Sequence, residues 1–96
     1  MKMVFIVYNA AISDEVDECL KHCEIESFTK LPTVYGQGKQ SGPHMGTHIW
    51  PATNSALMIV CDDEKVSSIL EQIRQLKAAM ARVGVKAFVF PVEDIV

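Results

Sequence analysis

Two histidines, His44 and His48, lie four residues apart in a stretch that also contains the chain's only tryptophan, Trp50. Imidazole nitrogens bind Zn²⁺ and Cu²⁺, so the pair is a candidate metal site. Pro43 and Gly46 disfavour a helix here, and in an extended segment the two rings would be about 13 Å apart, too far to share one ion. A metal site therefore requires a bend at Gly46 or histidines from several subunits that meet at a symmetry axis.

The same segment, residues 36–51 (GQGKQSGPHMGTHIWP), is rich in glycine and lies between two strand-like runs. A hairpin connection normally needs only about two to five residues, so we interpret this longer one as a binding loop. Gly36, Gly38 and Lys39 form a G-Q-G-K run whose backbone N–H groups can cradle a phosphate, although the spacing is not that of a Walker A motif. A flexible hairpin tip is the alternative.

The rest of the chain does not indicate catalysis. Cys19 and Cys23 share a helical stripe with Leu20 and are expected to be buried as small hydrophobic residues, with His22 on the surface. No nucleophile is paired with an obvious base, so we predict that the protein is not an enzyme. The unpaired set of three cysteines, without a signal peptide or a membrane-spanning run, predicts a cytoplasmic protein. A net charge of -3 argues against nucleic acid as a partner.

The strands on either side of this loop can be predicted from the apolar runs and from the positions of the prolines. Residues 2–8 are a nearly continuous apolar run, residues 55–61 are apolar after Ser55, and neither run contains proline, which predicts central strands. Residues 27–35 and 86–92 each contain a proline, which predicts edge strands because proline donates no ladder hydrogen bond.

Two helices are predicted between these strands. The first begins at an N-cap, Ser13, and the second is capped by Asp62 or Asp63 and ends at Gly84 in a left-handed conformation. Right-handed crossovers place both helices on one face of an antiparallel sheet of order 4-1-3-2. The sequence thus predicts an α+β, ferredoxin-like βαββαβ fold, with residues 1–96 as one domain.

Alternate residues of the first strand are apolar on both faces: Met3, Phe5 and Val7 on one, Val4, Ile6 and Tyr8 on the other. Helices can cover only one face, and 49% of the chain is hydrophobic. We therefore expect other subunits to cover the second face. The alternative is that a few apolar residues are simply exposed.

The element order, the long insertion between strands two and three, and residues 36–50 together resemble the PII signal-transduction family. Its members are trimers of ferredoxin-like subunits whose T-loop, in this same connection, contacts partner proteins. The run V-G-V-K-A-F-V-F around Lys86 is similar to the family's nucleotide-binding stretch G-D-G-K-I-F-V. By that match Lys86 would contact a phosphate and Gly84 would be a turn residue ahead of it. The Asp-Gly pair of that stretch is absent, so the resemblance implies a divergent member.

The resemblance implies a regulatory homotrimer that binds a small ligand between subunits, either a nucleotide, an anion or a divalent metal. Its ligand-binding residues would be Gly36, Gly38, Lys39, Gly84 and Lys86. The loop would signal to a partner protein, for instance a membrane transporter, through Gly42, His44, Gly46 and Trp50. The alternative is a trimeric divalent-ion-tolerance protein of similar fold that binds metal through His44 and His48.

Overall fold

The computed structural model of the chain describes residues 1–36 and 53–96. Its helices and strands occur in the predicted order: β1 (Lys2–Asn9), a 3-10 turn (Ala10–Ile12), α1 (Ser13–His22), β2 (Thr29–Tyr35), β3 (Thr53–Cys61), α2 (Asp63–Ala79) and β4 (Val85–Pro91).

The four strands form one antiparallel sheet of order β2-β3-β1-β4, which is the predicted order 4-1-3-2 read from the other edge. The proline-free strands are central and the two proline-containing strands are at the edges, as predicted. At Pro32 the pairing of β2 with β3 shifts register between Leu31 and Val34. The Pro32 carbonyl accepts a hydrogen bond from the Ser55 hydroxyl at 2.8 Å, so the irregular backbone is satisfied by a side chain instead of the ladder.

The hydrophobic core lies between the helices and one face of this sheet. Val4, Ile6 and Tyr8 of β1 are almost completely buried, because successive strand residues point to opposite faces and these three point toward the helices. Burying one such side chain contributes about 1.5–3 kcal/mol. The two helices complete the core with the apolar residues of their inner stripes: Ile12, Val16, Leu20, Val66, Ile69 and Ile73.

Helix α1 does not begin as the sequence predicted. Asn9, not Ser13, is the capping side chain: its Oδ1 accepts a hydrogen bond from the Ala11 N–H at 2.9 Å at the start of the 3-10 turn. The Ser13 hydroxyl instead donates back to the Ala10 carbonyl at 2.9 Å. The prediction of Ser13 as N-cap was wrong because the 3-10 turn already brings the chain into helical geometry before residue 13.

The predicted role of Gly84 at the end of α2 was also wrong. The helix ends at Ala79, with Met80 as its C-cap, and no glycine in the described ranges has a positive φ. Val83 closes a short turn through a hydrogen bond to the Met80 carbonyl, and Gly84 then leads into β4. Its carbonyl accepts the Asn9 N–H at 2.9 Å, so Gly84 extends the pairing of β1 with β4 instead of ending a helix.

A left-handed residue does end α1, and it is not a glycine. Glu24 has φ 57°. Its N–H bonds the Lys21 carbonyl at 3.0 Å, and the next N–H, from Ile25, bonds the Leu20 carbonyl at 2.9 Å. These two bonds define a Schellman motif, in which glycine is preferred at the position of Glu24 because it has no Cβ. Lys65 donates to the adjacent Cys23 carbonyl at 2.7 Å, which satisfies one more helix-end acceptor.

Glu24→Gly should therefore stabilise the fold. Removing the Cβ relieves the left-handed strain, and we expect the free energy of unfolding to rise by about 1 kcal/mol in urea denaturation. The Glu24 side chain also lies 3.7 Å from Lys65, but it is 85% exposed, so losing that ion pair costs little. Glu24→Ala is the matched control: it removes the carboxylate and keeps the Cβ, and should give no gain. Equal stabilisation by both variants would contradict the strain explanation.

Candidate functional site

The connection between β2 and β3 begins and ends at the same end of the sheet. Tyr35, the last residue of β2, pairs with Thr53, the first residue of β3. Asn54 of β3 pairs with Asn9 at the end of β1, and the Asn9 N–H reaches Gly84 just before β4. Gly36 and Gly84, both predicted ligand-binding residues, therefore lie at this same end.

Within one subunit, however, the structure does not bring Gly36 and Lys86, two predicted ligand residues that lie in the described ranges, into one pocket. Gly36 follows β2 and Lys86 is in β4, and these strands are the two opposite edges of the sheet. Three strand spacings, or about 14 Å, separate the edges. A ligand that contacts both residues must bridge the sheet or lie between two subunits.

The sheet face away from the helices is apolar over most of its length. Register places Met3 and Phe5 of β1 beside Phe90 and Phe88 of β4, and beside Val60 and Met58 of β3. Val60, Phe88 and Phe90 remain 43%, 46% and 47% exposed. We call this surface the open face. The prediction that both faces of β1 are apolar is confirmed, and the subunit leaves part of the second face exposed, although Ala56 on it is fully buried.

The open face becomes polar at the end where the connection begins. Lys86 is opposite Val7, which is in turn opposite Ala56, so all three lie on the open face. One pleat further along, Asn9 and Asn54 are paired. Lys86 is exposed, and it forms no ion pair with any residue in the described parts of the chain.

The two described glycines of the predicted site have different surroundings. A Cβ on Gly36 would lie 3.0 Å from Asn54 Nδ2, so the asparagine side chain approaches the backbone where β2 ends. At Gly84 an added Cβ would meet nothing within 4 Å. A side chain at residue 36 would therefore require the Asn54 side chain to shift, whereas at Gly84 the isolated subunit has open space.

The other predicted site residues lie outside the described residues, in the segment 37–52. This applies to the phosphate-loop prediction, to the metal prediction and to most of the partner-binding prediction, which concern Gly38, Lys39, Gly42, His44, Gly46, His48 and Trp50.

The cysteines are placed as expected. Cys19 and Cys23 are buried in the helix layer, His22 is exposed, and Cys61 is half-buried. Burial raises the pKa of all three thiols above the ordinary value of 9.0, so at neutral pH they are protonated and weakly nucleophilic. Across residues 1–36 and 53–96, no group of three or more His, Cys, Asp or Glu side chains is placed to hold a metal ion. The same residues contain no helix that could span a membrane.

The sequence analysis did not single out Asn54, which the structure places at the polar end of the open face. It lies just before an apolar run and matches no motif, so nothing in the linear sequence distinguishes it from a loop residue. The available signal was register: counting in twos from Ala56 puts Asn54 on the face opposite the core.

Comparisons with known proteins agree with this fold. The family model described as nitrogen regulatory protein P-II matches residues 1–96. No curated protein sequence matches the chain. Among solved structures, a putative PII-like signaling protein from Thermus thermophilus is 22% identical, with a TM-score of 0.64 over 92% of this chain and 82% of that one.

Two structures of CPII, a PII-like protein from Thiomonas intermedia, are each 15% identical to the chain. The one bound to ADP, AMP and acetate has a TM-score of 0.70, covering 93% of this chain and 82% of its own. The one bound to ADP, AMP and bicarbonate has a TM-score of 0.66, with 97% and 88% covered. At these identities the structures establish the shared fold, and the family model spans the whole sequence. The chain belongs to the nitrogen regulatory protein P-II family, whose members are trimeric regulatory proteins.

Proposed function

We propose that this protein is a homotrimeric regulator that binds a nucleotide or another small anion between its subunits. The ligand site would lie at the polar end of the open face and would include Gly36, Gly84 and Lys86, with Gly38 and Lys39 from the connection. The segment 36–51 would pass the signal to a partner protein, with a membrane transporter as one candidate. In this role the protein regulates and does not catalyse.

The observation that carries the proposal is the position of Lys86. It is an exposed lysine without an ion pair in the described residues, at the end of an apolar face that the subunit itself leaves uncovered. Neighbouring copies of the chain that cover the apolar strands would exclude water from this end of the face. A contact between Lys86 and an anion is stronger where water is excluded. The CPII structures, which share the fold, contain ADP and AMP together with acetate or bicarbonate.

Signalling requires that the ligand binds one arrangement of the connection more tightly than another. The sheet supplies a fixed base for such a change, because Tyr35 and Thr53 are paired at the two ends of the connection. Gly36 follows this pair directly, next to Asn54. A ligand bound at this end would contact the connection where it leaves the sheet, and its binding energy could shift the equilibrium between loop arrangements.

The ligand site can be tested by titration calorimetry with ADP, AMP, ATP, bicarbonate and Zn²⁺. We expect the wild-type protein to bind a nucleotide or bicarbonate, and Lys86→Ala to weaken that binding at least tenfold, because a charge-assisted hydrogen bond contributes about 1.5–3 kcal/mol. Lys77→Ala, which changes an exposed lysine on α2, is the control and should bind as wild type does. Wild-type protein that binds only Zn²⁺, and loses it in His44→Ala/His48→Ala, would favour the metal-binding alternative.

The assembly can be tested at the open face. Phe88→Asp places a charge on the exposed apolar surface, and we expect it to reduce the particle mass measured by light scattering from about three chains to the 10.7 kDa of one chain. Ala78→Asp, on the exposed side of α2, should leave the mass unchanged. Circular dichroism checks that both variants are folded. A wild-type mass of one chain at all working concentrations would contradict the proposal.

Gly84 gives a third test, since in the subunit it has neither a positive φ nor a close neighbour. Gly84→Ala should leave the free energy of unfolding unchanged or raise it by up to about 1 kcal/mol, through the lower entropy of the unfolded chain. If a bound ligand lies against the Gly84 backbone, the same methyl group should weaken binding in the calorimetric titration. A clear loss of stability would instead show that residue 84 needs glycine for folding.

A further inference from the structure

We infer that Asn9 is a ligand-contacting residue of the proposed site, where its side-chain amide and the Lys86 ammonium donate hydrogen bonds to one oxyanion that lies over Gly84. This inference rests on the proposed function and adds a specificity-determining residue to it. The oxyanion is either the phosphate of a nucleotide or a free carboxylate or bicarbonate.

The register of β1 and β4 places Asn9 beside both Gly84 and Lys86. The Asn9 N–H donates to the Gly84 carbonyl at 2.9 Å, and residues opposed in this way have Cα atoms about 5.5 Å apart. Val7 is opposite Lys86, which is therefore two residues, or about 7 Å, further along the strand than Gly84. Because alternate residues of a strand share a face, Asn9 lies on the open face with Val7, and Gly84 lies there with Lys86.

Gly84 leaves a gap between the two polar side chains. A Cβ added at this residue would meet nothing within 4 Å, so the space above its backbone is open in the subunit. The backbone does not itself require glycine there, because no glycine in the described ranges has a positive φ. The gap has the Asn9 amide on β1 to one side and the Lys86 ammonium on β4 to the other. Both side chains are long enough to reach an oxyanion within it.

The hydrogen bond at the start of the 3-10 turn decides which end of the Asn9 amide is available. Its Oδ1 accepts the Ala11 N–H at 2.9 Å, so the oxygen faces the turn and the NH₂ group lies on the other side of the amide carbon. Within the described ranges this NH₂ group donates to no acceptor. The half-buried side chain is thus held by its oxygen and keeps two donors for a ligand.

The charge of this surface selects an anion. None of the four strands contains Asp or Glu, so no strand carboxylate competes for the lysine. Asparagine supplies N–H donors without a charge, which fixes the position of an oxygen atom, while the ammonium group supplies the attraction.

The test compares Asn9→Ser and Asn9→Asp with wild type by calorimetric titration of ADP, AMP, inorganic phosphate, bicarbonate and acetate. Both variants keep an oxygen that can accept the Ala11 N–H, so the cap is retained. Asn9→Ser should weaken binding about tenfold, the loss of one hydrogen bond to a charged group. Asn9→Asp replaces the donors with a carboxylate that repels an anion, and should weaken binding more than Asn9→Ser does.

Gln75→Glu is the matched control, because it makes the same change from amide to carboxylate on the exposed side of α2. It should bind as wild type does. Thermal unfolding and particle mass are measured for each variant, and Asn9→Asp should unfold at the wild-type temperature because aspartate is an equally good cap.

The ligand series separates the two sources of the oxyanion. If Asn9 contacts a nucleotide phosphate, the loss appears with ADP, AMP and inorganic phosphate; if it contacts a free carboxylate, the loss appears with bicarbonate and acetate. The double variant Asn9→Ser/Lys86→Ala should lose less than the product of the two single losses, because both residues hold the same group.

If Asn9 acts only as a cap, Asn9→Asp will bind every probe within twofold of wild type. That result would overturn this inference and leave the proposed function standing, provided that Lys86→Ala still weakens binding. A wild-type protein that binds none of the five probes would reject both.

Discussion

A single constraint shapes this molecule: β1 is apolar on both faces, but the two helices of the described residues cover only one. Right-handed crossovers direct both helices to the same side of the sheet, where Val4, Ile6 and Tyr8 are buried beneath them. The other face keeps phenylalanine, methionine and valine side chains in contact with water. An uncovered apolar surface of this kind is unfavourable for a free subunit and favours association. The trimeric assembly of the family offers a solution to this problem.

The same sheet concentrates the polar residues of its open face at one end. Apolar pairs occupy most of the open face, and the polar residues Lys86, Asn9 and Asn54 are concentrated where β2 ends and β3 begins. Association would therefore bury the apolar part and leave the polar end at the margin, close to the connection. The proposed signal would begin at this end of the sheet, because the chain leaves β2 and enters β3 there.

Much of the fold could be predicted from the sequence, because each prediction relied on a strong local rule. Pro32 and Pro91 identified the edge strands, since proline cannot donate to a ladder on both sides. The incorrect details were the helix ends. Ser13 and Gly84 match the usual capping preferences. The actual ends depend on the 3-10 turn before α1 and on the residue at which α2 stops packing against the sheet, and both are set by tertiary contacts. Glu24 in the left-handed position could not be predicted, because the preference there is for glycine.

The sequence by itself determined the order of the elements, the central and edge strands, the apolar character of both faces of β1 and the position of the long connection. These follow from the period of two along a strand and from the chemistry of proline, which operate locally. Only the tertiary structure decided that Gly36 and Lys86 are on opposite edges, that Gly84 continues a strand pairing, and that Asn54 shares a face with Lys86. Those relations depend on strand order and register, because pairing joins residues that are far apart in the chain.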